Sequence, residues 1–123
     1  MRTHQLLRTG ILAAVLALGG TAAALAHTEV RSTSPANGKP AKTTITRTTV
    51  TFNGQLRSGT LRVVGPGSRI VSRGKGGRDP RNVRRLLVGL RGGLKPGLYR
   101  ASWTIVAADG HRQRGSFRFR LRR

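Results

Sequence analysis

Residues 98–123 read LYRASWTIVAADGHRQRGSFRFRLRR, and this stretch decides the fold expected for the chain. Apolar side chains occupy alternate positions on both of its arms: Tyr99, Ala101, Trp103 and Ile105 on the first, and Phe117, Phe119 and Leu121 on the second. A period of two is typical of a strand with one buried and one exposed face. The stretch therefore predicts a two-stranded hairpin in which Tyr99 and Trp103 anchor the core.

The turn of this hairpin carries a carboxylate and an imidazole, from Asp109 and His111, with Gly110 between them. Two such side chains can point the same way from a rigid hairpin, which suits a small polar or metal site. Asp-Gly is also ordinary turn chemistry. The pair alone therefore does not distinguish a binding site from a structural turn.

Beyond residue 26, the rest of the chain has strand and turn signals and no helical periodicity. Its β-branched runs predict strands at 42–52, 59–64, 69–72 and 83–90. Residues 73–82 (RGKGGRDPRN) are predicted as a loop, because they contain three glycines and a proline. Six or seven short strands with turn signals roughly every 8–12 residues predict an all-β fold, either a sandwich or a small Greek-key barrel.

Residues 1–26 have the features of a secretory signal peptide. Two arginines precede the apolar run ILAAVLAL, and the small-x-small triplet ALA ends at Ala26. The alternative is an uncleaved membrane anchor, because the uncharged run that ends at Ala26 is at the lower limit for spanning a bilayer. We predict cleavage after Ala26, one mature domain at 27–123, and a periplasmic or extracellular location.

Cleavage after Ala26 makes His27 the first mature residue, with an imidazole and a free α-amine. Its Nδ1 atom and its amine can close one chelate ring around a metal ion. Together with the imidazole of His111 and a carboxylate oxygen of Asp109, they form the tetragonal N/O set that Cu(II) prefers. The chain has no cysteine and its one methionine is Met1, so a thiolate or thioether metal site in the mature domain is excluded.

The chain is strongly basic, with 24 Lys and Arg against 3 Asp and Glu and a formal charge of +21. Loss of the two arginines in residues 1–26 leaves 22 against 3, or +19. Such a field attracts nucleic acid, anionic lipid or acidic cell-wall polymer. The alternative is that the arginines form the solvated faces of strands, because they alternate with apolar residues and make no basic cluster with interleaved aromatic side chains.

Six features of the mature sequence occur in a fixed order: His27, STSPANG at 32–38, VTF at 50–52, LKPGLY at 94–99 with the following Ser102 and Trp103, ADGH at 108–111, and GSFRF at 115–119. In this order and spacing they resemble the CopC family of periplasmic copper-binding proteins. The resemblance implies a seven-stranded Greek-key β-barrel or sandwich, immunoglobulin-like or cupredoxin-like, with one Cu(II) site at its end. It implies His27, Asp109 and His111 as the copper ligands.

The sequence departs from the family pattern near this site. Asn53 and Gly54 stand where some members have a glutamate, and Arg112 follows the D-G-H motif where proline is common. Arg112 and Arg114 add positive potential that opposes a dication. The expected affinity for copper is therefore somewhat lower than that of a more acidic relative.

The leading hypothesis is a secreted Cu(II)-binding protein, not an enzyme, that buffers copper or delivers it to a membrane importer of the CopD type. A monomer is expected. One alternative is a basic module that contacts anionic lipid, cell-wall polymer or nucleic acid. Another is a copper monooxygenase with a histidine brace, which the small size of the chain and the lack of a flat aromatic face oppose.

Overall fold

A computed structural model describes residues 27–123, so the predicted signal peptide lies outside the described residues. The described chain has eight strands and a short 3-10 helix at Pro66–Ser68. The strands are β1 (Val30–Ser34), β2 (Pro40–Lys42), β3 (Arg47–Phe52), β4 (Leu56–Val64), β5 (Ser72–Asp79), β6 (Asn82–Leu90), β7 (Gly97–Ala107) and β8 (Arg112–Arg122). Within this part of the chain, no helix is long and apolar enough to cross a membrane.

The strands form two four-stranded sheets that enclose one apolar core. The first sheet has the order β1-β3-β6-β5, and the second has the order β2-β8-β7-β4. All neighbouring strands are antiparallel except β2, which runs parallel to β8. The all-β Greek-key sandwich is confirmed. The two sheets do not close into a barrel, and the strands number eight rather than seven.

The hairpin predicted at 98–123 is confirmed as β7 and β8, which pair from Gly97 opposite Leu121 to Val106 opposite Arg112. Its apolar positions face the core. Tyr99 is buried, stacks on Phe119 with ring centroids 5.6 Å apart, and donates its hydroxyl to the carbonyl oxygen of Lys95 at 2.6 Å.

Trp103 anchors the core less completely than Tyr99 does. It is partly buried and packs against the border of the core cluster. Its ring meets Phe52 edge-on, with ring centroids 5.0 Å apart. Trp103 therefore closes the side of the core, whereas Tyr99 lies within it.

The prediction of a loop at 73–82 is wrong, because Ser72–Asp79 forms β5 at the edge of the first sheet. The glycines permit an irregular edge strand instead of ending it. Gly74 and Gly76 adopt φ angles of 67° and 63°, a region that glycine enters without strain. A Cβ atom on Gly76 would lie 2.8 Å from the carbonyl oxygen of Leu87 on β6.

Two other strand boundaries differ from the prediction. The strand expected at 42–52 begins only at Arg47, as β3 of the first sheet, whereas Lys42 is the last residue of β2 in the second sheet and residues 43–46 connect the two. The strand expected at 69–72 is reduced to a single bridge between Ile70 and Val64, and β5 begins only at Ser72. A run of β-branched residues favours extended backbone in either sheet, so composition does not reveal where the chain changes sheets.

Candidate metal site

Asp109 and His111 lie in the turn between β7 and β8. The N–H of Ala107 donates to the carbonyl oxygen of His111 at 2.9 Å, and the N–H of Gly110 donates back to the carbonyl oxygen of Ala107 at 2.9 Å. Gly110 adopts a φ of 90°, which is available to glycine without strain. This tight closure brings the side chains of Asp109 and His111, the two candidate ligands, into direct contact.

One carboxylate holds His111 at two atoms. The backbone N–H of His111 donates to Asp109 Oδ1 at 3.0 Å, and His111 Nδ1 lies 2.8 Å from Asp109 Oδ2. The backbone hydrogen bond, followed by the side-chain one, lowers the pKa of Asp109 below its ordinary value. An ionised carboxylate only accepts, so Nδ1 carries the proton of this contact, and Nε2 is the ring nitrogen whose lone pair can bind a metal ion.

The residues that follow His27 are attached to the same end of the sandwich. The N–H of Thr28 donates to Gln113 Oε1 at 3.2 Å, and Gln113 Nε2 donates to the carbonyl oxygen of Thr28 at 3.0 Å. The N–H of Glu29 donates to Asn53 Oδ1 at 2.9 Å, and the N–H of Asn53 donates to the carbonyl oxygen of Glu29 at 2.9 Å. These reciprocal pairs set the position from which His27 extends.

Gln113 and Asn53 therefore position the backbone next to His27. The sequence analysis did not predict this role for either residue. Asn53 occupies the position where the family resemblance leads one to look for a carboxylate, and its side chain anchors the N-terminal segment instead. Gln113 is the second residue after His111 and lies on β8, so the strand that directly follows His111 also holds the backbone next to His27. No sequence signal distinguishes this glutamine from an ordinary strand residue.

His27 and Asp109 border one open depression of about 310 Å³, with Thr28, Asn53 and Ala108 between them. In the structure, Asp109 thus contacts His111, and Asp109 and His27 line the same depression. It does not close the three side chains around a point: across residues 27–123, no three His, Cys, Asp or Glu side chains are grouped so that they could hold a metal ion. The assignment of the three ligands remains a prediction.

Positive charge surrounds this end of the molecule. Nη1 of Arg57 lies 3.6 Å from the place that a Cβ on Gly110 would take, and the exposed Arg112 directly follows His111. Both cations oppose the approach of a dication. The carboxylates of Asp109 and Glu29 offset these two charges, so a metal ion would have to be held mainly by bonds to nitrogen and oxygen ligands.

Comparison with known proteins agrees with the fold. The CopC domain matches residues 30–122. The proteins named YobA from Escherichia coli K12 and from Shigella flexneri are each 30% identical to this chain over 61 residues, which cover 50% of the chain and 49% of YobA. The chain thus spans about half the length of the curated relatives it matches.

Two solved structures share the architecture. CopC from Methylosinus trichosporium OB3b superposes with a TM-score of 0.64 at 18% identity, covering 77% of this chain and 93% of that one. PcoC, a methionine rich copper resistance protein from Escherichia coli, superposes with a TM-score of 0.61 at 25% identity, covering 79% and 100% of the two chains. Because the domain match spans most of the sequence, the chain belongs to the CopC domain family.

Proposed function

We propose that this protein binds Cu(II) outside the cytoplasm and acts in copper resistance and homeostasis. Membership of the CopC domain family supports the proposal, as does the similarity to the copper resistance protein PcoC along its full length. The observation that carries it is the Asp109–His111 pair, joined at 2.8 Å beside the depression that His27 borders. A signal peptide removed after Ala26 would place the protein in the periplasm or outside the cell.

The proposed ligands are His27, Asp109 and His111. His27 would supply its Nδ1 atom and, after cleavage, its amine. His111 would supply Nε2, because its Nδ1 is paired with Asp109. A carboxylate that accepts from the second nitrogen of a ligating histidine fixes the tautomer and raises the basicity of the ligand. Asp109 would orient His111 in this way before copper binds. An oxygen at Nδ1 lies on the opposite side of the ring from Nε2, so to bind the same ion Asp109 would have to leave Nδ1 and turn into the depression that it shares with His27.

This donor set suits equilibrium binding of Cu(II). Imidazole and amine nitrogens with a carboxylate oxygen match the preferences of Cu(II), whereas Cu(I) prefers sulfur ligands. The α-amine, with an ordinary pKa of about 8, and both imidazoles must be unprotonated to bind. Binding should therefore release protons and weaken as the pH falls.

An exposed site supports a role in exchange of the metal. The side chains of His111 and Asp109 are 55% and 47% exposed, so a second protein can reach them. We propose that a monomer buffers copper or delivers it to a membrane importer of the CopD type. We propose no catalytic step.

The test is a Cu(II) titration of the exported protein against a competing chelator. We expect one equivalent to bind, with an apparent affinity that falls as the pH is lowered from about 8 to about 6. Mg²⁺ is the matched control, because it prefers oxygen ligands and should not compete. Several weak equivalents without a stoichiometric one would contradict the proposal.

A further inference from the structure

The outer face of the second sheet carries eight cations. They are Lys42 on β2, Arg62 on β4, Arg100 on β7, and Arg112, Arg114, Arg118, Arg120 and Arg122 on β8. All eight are exposed. The three carboxylate side chains of the chain, Glu29, Asp79 and Asp109, lie outside these four strands. We call these eight residues and the sheet surface between them the basic face.

The basic face is an extended plane of charge. Alternate residues on a strand lie about 7 Å apart, so the row from Arg112 to Arg122 extends over about 34 Å. Arg100 lies directly opposite Arg118, and Lys42 lies opposite Arg122. Like charges in directly opposite positions destabilise a sheet. A partner with negative charge spread over the same plane would relieve this repulsion.

A shallow depression, which we call the serine notch, lies in the middle of the basic face. Ser102 and Ser116 are opposite each other there, with Thr104 beside them and with Arg100 and Arg114 at the margins. Arg100 Nη2 donates to Ser116 Oγ at 3.3 Å. Two guanidinium groups around three hydroxyls supply the charged and neutral donors that a phosphate group accepts.

The first sheet does not repeat this arrangement. Arg85 on β6 is paired with Asp79 on β5, with Nη2 2.9 Å from Oδ2. On β3, a central strand of the first sheet, the outward positions are Arg47, Thr49 and Thr51. Only Arg47 of these three is charged. The strands of the first sheet also carry seven cations, Arg31, Arg47, Arg73, Lys75, Arg78, Arg84 and Arg85, together with Asp79. Arg78 and Arg84 donate to the backbone carbonyl oxygens of Leu56 and Asn53. The basic face therefore differs from the first sheet in having no carboxylate on its strands and in the regular row of arginines on β8, more than in the number of its cations.

We propose that the basic face docks the protein onto a bilayer surface rich in anionic phospholipid, with one lipid phosphate in the serine notch. The face spans four neighbouring strands, which fits a planar partner better than a single thread. Leu98, 48% exposed and opposite Arg120, adds an apolar side chain to the same surface. This docking does not depend on copper binding, and it would hold the turn with His111 at the rim of the contact, because Arg112 follows it directly.

Single-stranded nucleic acid fits this surface less well. Proteins that bind such strands without sequence preference stack the bases on exposed aromatic side chains. Of the aromatic residues of β7 and β8, Tyr99, Phe117 and Phe119 belong to the core, and the partly buried Trp103 packs against it and also lines the serine notch. Within residues 27–123 the basic face therefore offers the bases of a bound strand one partly buried ring and no row of exposed aromatic side chains.

The experiment measures co-sedimentation of the exported protein with vesicles of phosphatidylcholine, with and without phosphatidylglycerol. The variant carries Arg114→Gln, Arg118→Gln and Arg120→Gln. Each arginine near an anionic surface strengthens binding about fivefold, so the loss of three should lower the partition coefficient for the anionic vesicles about 100-fold. Binding to phosphatidylcholine alone should be negligible for both proteins.

A matched control variant loses the same charge from the other sheet, through Arg31→Gln, Arg47→Gln and Arg73→Gln, all at exposed positions. It should keep most of the binding to anionic vesicles. Equal losses in the two triple variants would overturn the proposal, because net charge alone would then account for binding. Tighter binding to single-stranded DNA than to vesicles of equal phosphate concentration would overturn the assignment to a bilayer.

Folding and copper binding are controlled separately. The far-ultraviolet circular dichroism of the basic-face variant and its stoichiometry with Cu(II) should equal those of the wild type. Should the triple variant fail to fold, the double variant Arg114→Gln, Ser102→Ala at the serine notch decides the question. It should weaken binding to anionic vesicles by about fivefold or more, and unchanged binding would overturn the proposal.

Discussion

His111 Nδ1 lies 2.8 Å from Asp109 Oδ2, while the backbone N–H of His111 donates to the other oxygen of the same carboxylate at 3.0 Å. One side chain thus fixes both the turn between β7 and β8 and the orientation of the imidazole ring. The pairing leaves Nε2 as the nitrogen available to a metal ion.

His111→Ala should weaken Cu(II) binding by orders of magnitude, because it removes one of the proposed nitrogen ligands. The fold should remain intact, with a free energy of unfolding within about 0.5 kcal/mol of the wild type, because the side chain is 55% exposed. Chelator competition measures the first quantity, and urea denaturation without copper measures the second. A loss of affinity smaller than about threefold would remove His111 from the site.

Asp109→Asn should weaken Cu(II) binding about 10- to 100-fold while preserving the turn. The amide oxygen can still accept from the backbone N–H of His111, but its NH₂ group cannot accept from Nδ1. The imidazole then favours the tautomer with its proton on Nε2, where the metal ion should bind. Cu(II) competition checks the affinity, and the amide chemical shift of His111 checks the turn. An unchanged affinity would show that the carboxylate of Asp109 neither binds Cu(II) nor orients the imidazole of His111.

One alanine added before His27 should be nearly as damaging as the loss of His111. The extension converts the amine of His27 into an amide and moves the free amine away from the imidazole. The same protein, trimmed back to His27 by an aminopeptidase, is the matched control and should recover full affinity. Normal copper binding by the extended protein would mean that the proposed chelate ring does not form.

The stability of the fold should decrease in acid through Asp79. The N–H of Arg81, together with the guanidinium of Arg85, lowers the pKa of this carboxyl below its ordinary value. A carboxylate with a lowered folded-state pKa stabilises the fold above the unfolded-state pKa of about 3.9, and this stabilisation is lost as the pH falls through the folded-state value. Urea denaturation from neutral pH to below pH ~3 should show the loss, and Asp79→Asn should show less of it. An identical pH dependence in the variant would contradict this.

Gly59→Ala should destabilise the sandwich by about 1–3 kcal/mol. The added Cβ would lie 2.6 Å from Leu86 Cδ2 and 2.7 Å from the carbonyl oxygen of Thr104, and the backbone atom cannot move aside. Gly92→Ala is the matched control, because an added Cβ there meets nothing within 4 Å. Thermal denaturation measures the melting temperatures of the two variants. Equal melting temperatures would mean that β4 does not lie against β6 and β7 as described.

Much of the fold could be predicted because most strands follow one rule, the alternation of buried and exposed positions. The hairpin of β7 and β8 follows it over its whole length, so the sequence predicts both its strands and its faces. β5 breaks the rule, since its glycines and charged residues belong to a bulged edge strand that needs little apolar surface. The change of sheet after Lys42 has no local signal, because the partner strand β8 lies far along the chain.

The candidate site could be predicted only in part, for a similar reason. Asp109 and His111 are neighbours in one turn, so the sequence predicts their contact. The approach of His27 depends on bonds from Thr28 to Gln113 and from Glu29 to Asn53, which join residues distant along the chain. Periodicity and turn chemistry describe neighbours and cannot predict such contacts.

The most direct test of the copper site is an electron paramagnetic resonance titration with Cu(II) of the protein that begins at His27, after mass spectrometry has confirmed that first residue. One equivalent should give a single tetragonal spectrum with coupling to nitrogen, and the signal should lose nitrogen coupling in His111→Ala. A protein with a free His27 that binds no stoichiometric Cu(II), or that gives only the spectrum of aqueous copper, would contradict the proposed function.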